Sequence, residues 1–154
     1  MLCLGINGWV VTNASQSNAV FEKVNLVWLK RDLRLRDHEA IFNASADGTP
    51  VLLVYVFEPI LIDDPHYDVR HWRFIWQSLQ DIKQQLSQFN GQLLILQGEV
   101  TSVFSNIQQK FTIQHIFSHQ EIGLINTYTR DKAVRLWCDA NNIPWSEFSY
   151  GAVI

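Results

Sequence analysis

The sequence predicts an α/β fold: an open, doubly wound, Rossmann-like sheet of five parallel strands in the order 3-2-1-4-5, with helices on both faces. Three observations lead there. Short runs rich in β-branched residues and leucine recur between Val24 and Phe148. These runs are almost continuously apolar instead of alternating, the pattern of strands covered by helices on both faces. Amphipathic stretches separate them, giving βαβαβαβαβ, and crossovers in such sheets are nearly always right-handed.

The strands are expected at Val24 to Leu29, Val51 to Phe57, Gln92 to Leu96, Ile113 to Phe117 and Pro144 to Phe148. The first crossover, Asp37 to Ala46, carries Ala40, Ile41 and Ala44 on a helix of about two turns. After Asp68, Trp72, Ile75, Trp76, Leu79, Ile82, Leu86 and Phe89 recur at steps of three and four, an inward stripe. Asp68 is placed to cap its start and Asn90-Gly91 its end. A shorter helix carries Val100, Val103, Phe104 and Ile107. The last runs from about Thr127 to Asn142, with Ala133, Val134, Trp137 and Cys138 turned inward. No repeat or internal linker interrupts the pattern, so residues 24–154 form one domain.

With 154 residues, 47% hydrophobic and 18% charged, the chain has the size and composition of one globular domain and is not a disordered or fibrous sequence. A net charge of -3 and a pI near 5.9 argue against a free-standing nucleic-acid binder. The two cysteines, Cys3 and Cys138, have neither disulfide-framework nor zinc spacing. A reducing, cytoplasmic location fits them, and no apolar run is long enough to span a bilayer. Residues 1–23 hold only Glu22 and Lys23 as charges, make a weak signal peptide, and read as a leader or extraneous segment outside the fold.

In doubly wound sheets, ligands bind beyond the carboxyl ends of the strands where the strand order reverses. That point lies between Lys30-Arg31-Asp32-Leu33-Arg34-Leu35-Arg36-Asp37, after the first strand, and Ser118-His119-Gln120-Glu121-Ile122-Gly123, after the fourth. The interleaved arginines read as an ordered loop whose guanidinium groups pair with Asp32 or Asp37, or as a solvated surface loop. Glu58, Glu99 and Glu121 follow strands two, three and four. They either line one crevice or complement helix N-termini. GxGxxG, P-loop and GxSxG patterns are absent, so dinucleotide, phosphate-loop and serine-nucleophile chemistry are disfavoured. His66, His71, His115 and His119 are read as structural or solvent-facing, with no metal site and no catalytic residue. Trp28, Trp72, Trp76, Trp137 and Trp145 are read as core, while Trp9 lies in the leader.

VNLVWLKRDLRLRDHEAI resembles the opening of the cryptochrome and DNA photolyase family, whose signature runs W-(F/L)-(R/K)-x-D-L-R-L-x-D-N. Only His38 departs, where the family usually has Asn. Val51 to Pro59, YDVRHWRFIWQSLQDI, SHQEIG with TYTRDKAVRLWC, and PWSEFSYGAVI continue the likeness in register. It covers about Val24 to Ile154 and is most similar to bacterial cryptochrome/deoxyribodipyrimidine photolyases.

The resemblance implies an N-terminal α/β domain that holds an antenna chromophore, a folate, a deazaflavin or a flavin. It also implies a C-terminal helical domain, outside this chain, that binds FAD and the lesion. The whole protein would then reverse pyrimidine dimers by light-driven electron transfer, or signal as a cryptochrome; this domain alone would not be catalytic. Its partners would be its own FAD domain and, through that domain, damaged DNA. The antenna-binding residues so implied are Arg31, Asp32, Phe57, Glu58, Gln120 and Glu121, with Arg31 toward an acidic or carbonyl group and Glu58 or Glu121 toward ring nitrogens. A stand-alone nucleotide-binding α/β protein is the remaining alternative.

Overall fold

The computed structural model describes residues 21–89, 91–123 and 125–149. The first twenty residues of the expected leader, and Asn90 of the expected helix end, lie outside the described residues. The strands are β1 (Glu22–Leu29), β2 (Val51–Phe57), β3 (Gln92–Gln97), β4 (Phe111–His119) and β5 (Trp145–Phe148). The helices are α1 (Glu39–Ser45), α2 (Pro59–Ile62), α3 (Val69–Ser87), α4 (Val100–Gln108) and α5 (Ile125–Ala140). All strand pairs are parallel and the order is β3-β2-β1-β4-β5, as the sequence predicts. β1 starts two residues before Val24 because Glu22 and Lys23 pair with Phe111 and Thr112.

Successive side chains of β1 and β2 enter opposite cores, which is why these strands are apolar throughout. Val24, Leu26, Trp28, Leu52, Val54 and Val56 pack toward α4 and α5. Val27, Leu29, Leu53, Tyr55 and Phe57 pack toward α1 and α3. In α3, Ile75, Leu79 and Ile82 are buried, and the Asp68 carboxylate accepts from the N–H groups of Arg70 and His71, capping the helix as expected. His38 caps α1, its Nδ1 accepting from Ile41 N–H.

Two inward assignments are corrected. Phe89 is 77% exposed, because α3 ends at Ser87 and the stripe does not continue past the helix. Ala133 is exposed, because α5 buries Thr127, Arg130, Val134 and Cys138, a stripe that includes a charged residue no apolar pattern announces. α2, opened by Pro59, was not foreseen; four residues are too few to show a periodicity.

Trp28, Trp137 and Trp145 are held as packing residues. Trp28 is 1% exposed and meets Phe104 edge-on, with centroids 5.5 Å apart. Trp145 Nε1 donates to Ser118 Oγ and Trp137 Nε1 to Ser105 Oγ, both at 2.9 Å. Phe104 is fully buried between Trp28 and Trp137. Phe104→Ala is therefore expected to lower unfolding free energy by about 3–5 kcal/mol, read as a shifted urea midpoint at constant slope. A loss of about 1 kcal/mol or less would mean that this core is loosely packed.

Candidate functional site

A cleft of about 440 Å³ opens beside the carboxyl ends of β1 and β2, where Arg31, Tyr55, Glu58, Tyr67, Trp72 and Glu121 line it. The size lies within the ~300–1,000 Å³ range of small-ligand sites. Its wall is aromatic. The Tyr67 ring lies 4.6 Å from His71 and 5.4 Å from Trp72, centroid to centroid, and Tyr55 stands on the strand side. A second groove of about 390 Å³ lies between α4 and α5, lined by Val100, Thr129 and Ala133 among others. Glu58 belongs to both.

The floor is organised by Arg130 on α5. Its Nη1 donates to Glu58 Oε2 and its Nη2 to Glu121 Oε1, each at 2.8 Å, and its Nε donates to Asp131 Oδ1 at 2.9 Å. Burial opposes its charge, but the three carboxylates outweigh that and raise its pKa. Glu121 Oε2 accepts from Arg31 Nε at 3.0 Å, and Arg31 Nη2 donates to Tyr67 at 3.2 Å. One guanidinium therefore ties β2, the segment after β4 and α5 together, and Glu121 passes the connection on to Arg31. Burial pushes the Glu58 carboxyl up to about 7 against the pull of Arg130. Lys30, also buried, has its Nζ 4.1 Å from the Trp28 ring centroid and 3.7 Å from Asp131, and burial lowers its pKa.

On the other side of β1, Asp32 is 1% exposed. Its Oδ1 accepts from Lys30 N–H at 2.8 Å, and its Oδ2 faces His119 Nδ1 at 2.7 Å and His38 Nε2 at 2.5 Å. Burial favours the neutral acid, yet the bonds from His119 and His38 outweigh it and hold the carboxyl well below the usual carboxylate range. Their three potential ligand atoms lie within 4.8 Å of one another. The tautomer assigns them to hydrogen bonding: His38 Nδ1 accepts from Ile41 N–H, so its proton sits on Nε2, facing Asp32. A cation on Nε2 would need that proton at Nδ1, where Ile41 N–H already points.

Of the six residues expected at a ligand, Arg31, Glu58 and Glu121 converge on the cleft. Asp32 is sealed between the two histidines. Phe57 stands behind the wall, 5.9 Å from Trp72 and 4.9 Å from Tyr55. Gln120 is exposed, and its N–H extends the β4–β5 ladder to Phe148 O. Arg31 does not take the arginine–aspartate pairing expected within the loop but reaches Glu121 and Tyr67, while Arg34 donates to the carbonyls of Arg36 and Asp37. Glu99 shares the α4–α5 groove with Glu58, not the aromatic cleft. His115 bonds Ser146 and is separate from His119. Arg130, Tyr67 and Tyr55 escaped sequence reading. The Arg130-Asp131 pair inside TYTRDKAVRLWC was the available signal for the first.

Asp32 contributes stability that is complete above its unfolded value near 3.8 and is lost as pH falls toward its lower folded value. Asp32→Asn is expected to flatten the acid limb of a stability-against-pH curve below about pH 4, with an overall loss of about 1–3 kcal/mol at neutral pH from imperfectly paired donors. An unchanged acid limb would refute the pairing. Arg130→Met leaves three carboxylates without their shared cation and is expected to cost about 3–5 kcal/mol in chemical denaturation. A neutral outcome would show that the network relaxes freely.

The DNA photolyase family model matches residues 25–154. Cryptochrome-1 of Drosophila melanogaster is 30% identical over 129 residues, which is 80% of this chain and 24% of that protein. Cryptochrome DASH of Synechocystis is 30% identical over 102 residues, 63% of this chain and 21% of that protein. Among solved structures, a Synechocystis cryptochrome matches with TM-score 0.76 at 23% identity, over 82% of this chain and 27% of that one. A class III photolyase from Agrobacterium tumefaciens matches with TM-score 0.72 at 22% identity, over 88% of this chain and 27% of that one. The chain thus spans about a quarter of the length of these relatives. With the family model covering nearly all of the described fold, the chain belongs to the DNA photolyase family, as a photolyase/cryptochrome N-terminal α/β domain.

Proposed function

We propose that the chain is the antenna-chromophore-binding domain of a deoxyribodipyrimidine photolyase, gathering light for FAD held in a helical domain that reverses pyrimidine dimers. The observation that carries this reading is the cleft itself. Tyr67, His71 and Trp72 offer ring faces for a planar heterocycle, while Arg31 and Glu58 offer a donor and a carboxylate at its edge and Glu121 holds Arg31 in place. Light capture needs a conjugated ring held rigidly away from water, and an aromatic cleft at the switch point suits that need. The domain has no catalytic part in this reading; its FAD domain and, through that domain, damaged DNA are the partners. No helix among the described residues is long and apolar enough to cross a membrane.

Sensory use by a cryptochrome draws on the same cleft, and the cryptochrome names of the sequence relatives favour keeping it as the second reading. Dimer reversal under blue light, by a protein that joins this chain to an FAD domain, separates the two.

The domain is expected to bind one of a flavin, a deazaflavin or a reduced folate, read as quenched or shifted ligand fluorescence on titration. Arg31→Ala is expected to weaken that binding about ten- to a hundredfold, the effect of losing a charged hydrogen bond of about 1.5–3 kcal/mol. Unchanged affinity would return Arg31 to a purely structural role on Glu121 and Tyr67. Binding of ATP, with none of the three chromophore classes, would instead support a stand-alone nucleotide-binding protein.

A further inference from the structure

We propose that Glu58 couples ligand binding to proton release: its Oε1 accepts a ring N–H of the bound heterocycle, and only the ionised carboxylate can do so. The proposal rests on the reading of the cleft as a heterocycle site and adds the residue and the proton that control it.

Two carboxylates reach the cleft floor, and their oxygens are not equally available. Glu121 has both engaged, Oε1 by Arg130 and Oε2 by Arg31. Glu58 makes its bond to Arg130 through Oε2, which leaves Oε1 as the acceptor for an incoming donor. A carboxyl proton avoids the oxygen that already receives an N–H from a guanidinium, so on Glu58 it must sit on Oε1. There it would oppose a ligand N–H, donor against donor. Binding of the N–H therefore requires the proton to leave for solvent, and no covalent bond changes.

The surroundings make this proton labile near neutrality. Burial raises the Glu58 carboxyl to about 7, and Arg130 and Lys30 favour the charged form while Glu121 opposes it. Asp131 holds the third edge of Arg130, Tyr55 stands on β2, which ends just before Glu58, and Tyr67 and Arg31 stand at the cleft wall. Burial thus leaves Glu58 readily protonated, and a hydrogen bond to its charged form lowers its pKa. A ligand offering a ring carbonyl or bare ring nitrogen at this position would instead favour the protonated acid, so the sign of the pH dependence reports which edge is bound.

The experiment is a titration of the chain with riboflavin and, separately, with folic acid at pH 6 and pH 8, by calorimetry in two buffers of different ionisation enthalpy. For a carboxyl titrating at about 7, binding that needs the ionised form tightens about tenfold from pH 6 to pH 8, and at pH 6 close to one proton is released. Glu58→Gln, which keeps size and hydrogen-bonding capacity, is expected to abolish both the pH dependence and the proton release. Binding that is equal at both pH values, weaker at pH 8, or still pH-dependent in Glu58→Gln overturns the proposal while leaving the chromophore reading intact. No binding of either probe at either pH overturns the proposal as well as its application to flavin and folate chromophores.

Discussion

The site depends on one guanidinium, Arg130, shared among Glu58, Glu121 and Asp131 at distances of 2.8 to 2.9 Å. A buried arginine is tolerable only where several carboxylates meet it with good geometry. Those carboxylates come from the junction of β2 and α2, the segment after β4 and α5 itself, so satisfying one cation fixes three pieces of backbone against one another. Glu121 then holds Arg31, and Arg31 meets Tyr67, so the aromatic wall is positioned through the same network. The balance is uneven: Arg130 gains from the arrangement, while Glu58 is left near the threshold of protonation. A scaffold that stabilises itself through such a group also gives it chemistry to perform.

Asp32 does for the opposite side of β1 what Arg130 does for the cleft. It gathers the Lys30 amide, His119 from β4 and His38 from the start of α1. The loop after β1 is thereby pinned at the point where the strand order reverses. His38 serves twice, capping α1 with Nδ1 and facing Asp32 with Nε2. A side chain with two distinct nitrogens allows that, and it gives a physical role to the residue at which this sequence departs from its family's usual asparagine.

The fold was legible in the sequence because both faces of the sheet are covered. VLLVYVF cannot alternate when Leu52, Val54 and Val56 enter one core while Leu53, Tyr55 and Phe57 enter the other, and such a run declares a buried parallel strand. The cleft was legible by location, since the switch point follows from topology, and Arg31, Glu58 and Glu121 are among the charged residues that follow the strands there. Partners were not legible. Arg31 and Asp32 are adjacent in the loop after β1, but Arg31 reaches Glu121 and Tyr67 while Asp32 turns to His119 and His38, partners that neighbourhood in sequence does not announce. Arg130 was hidden because periodicity counts apolar residues, and a buried cation on a helix reads as a solvent-facing one. Ala133 was misjudged by the same rule in reverse.

The most direct test of the account is the crystal structure of the chain grown with riboflavin. The isoalloxazine ring is expected against Tyr67 and Trp72, with a ring N–H within hydrogen-bond reach of Glu58 Oε1 and Arg130 still bridging Glu58 and Glu121. A ring seated instead in the groove between α4 and α5, or an Arg130 released from both glutamates, would contradict it.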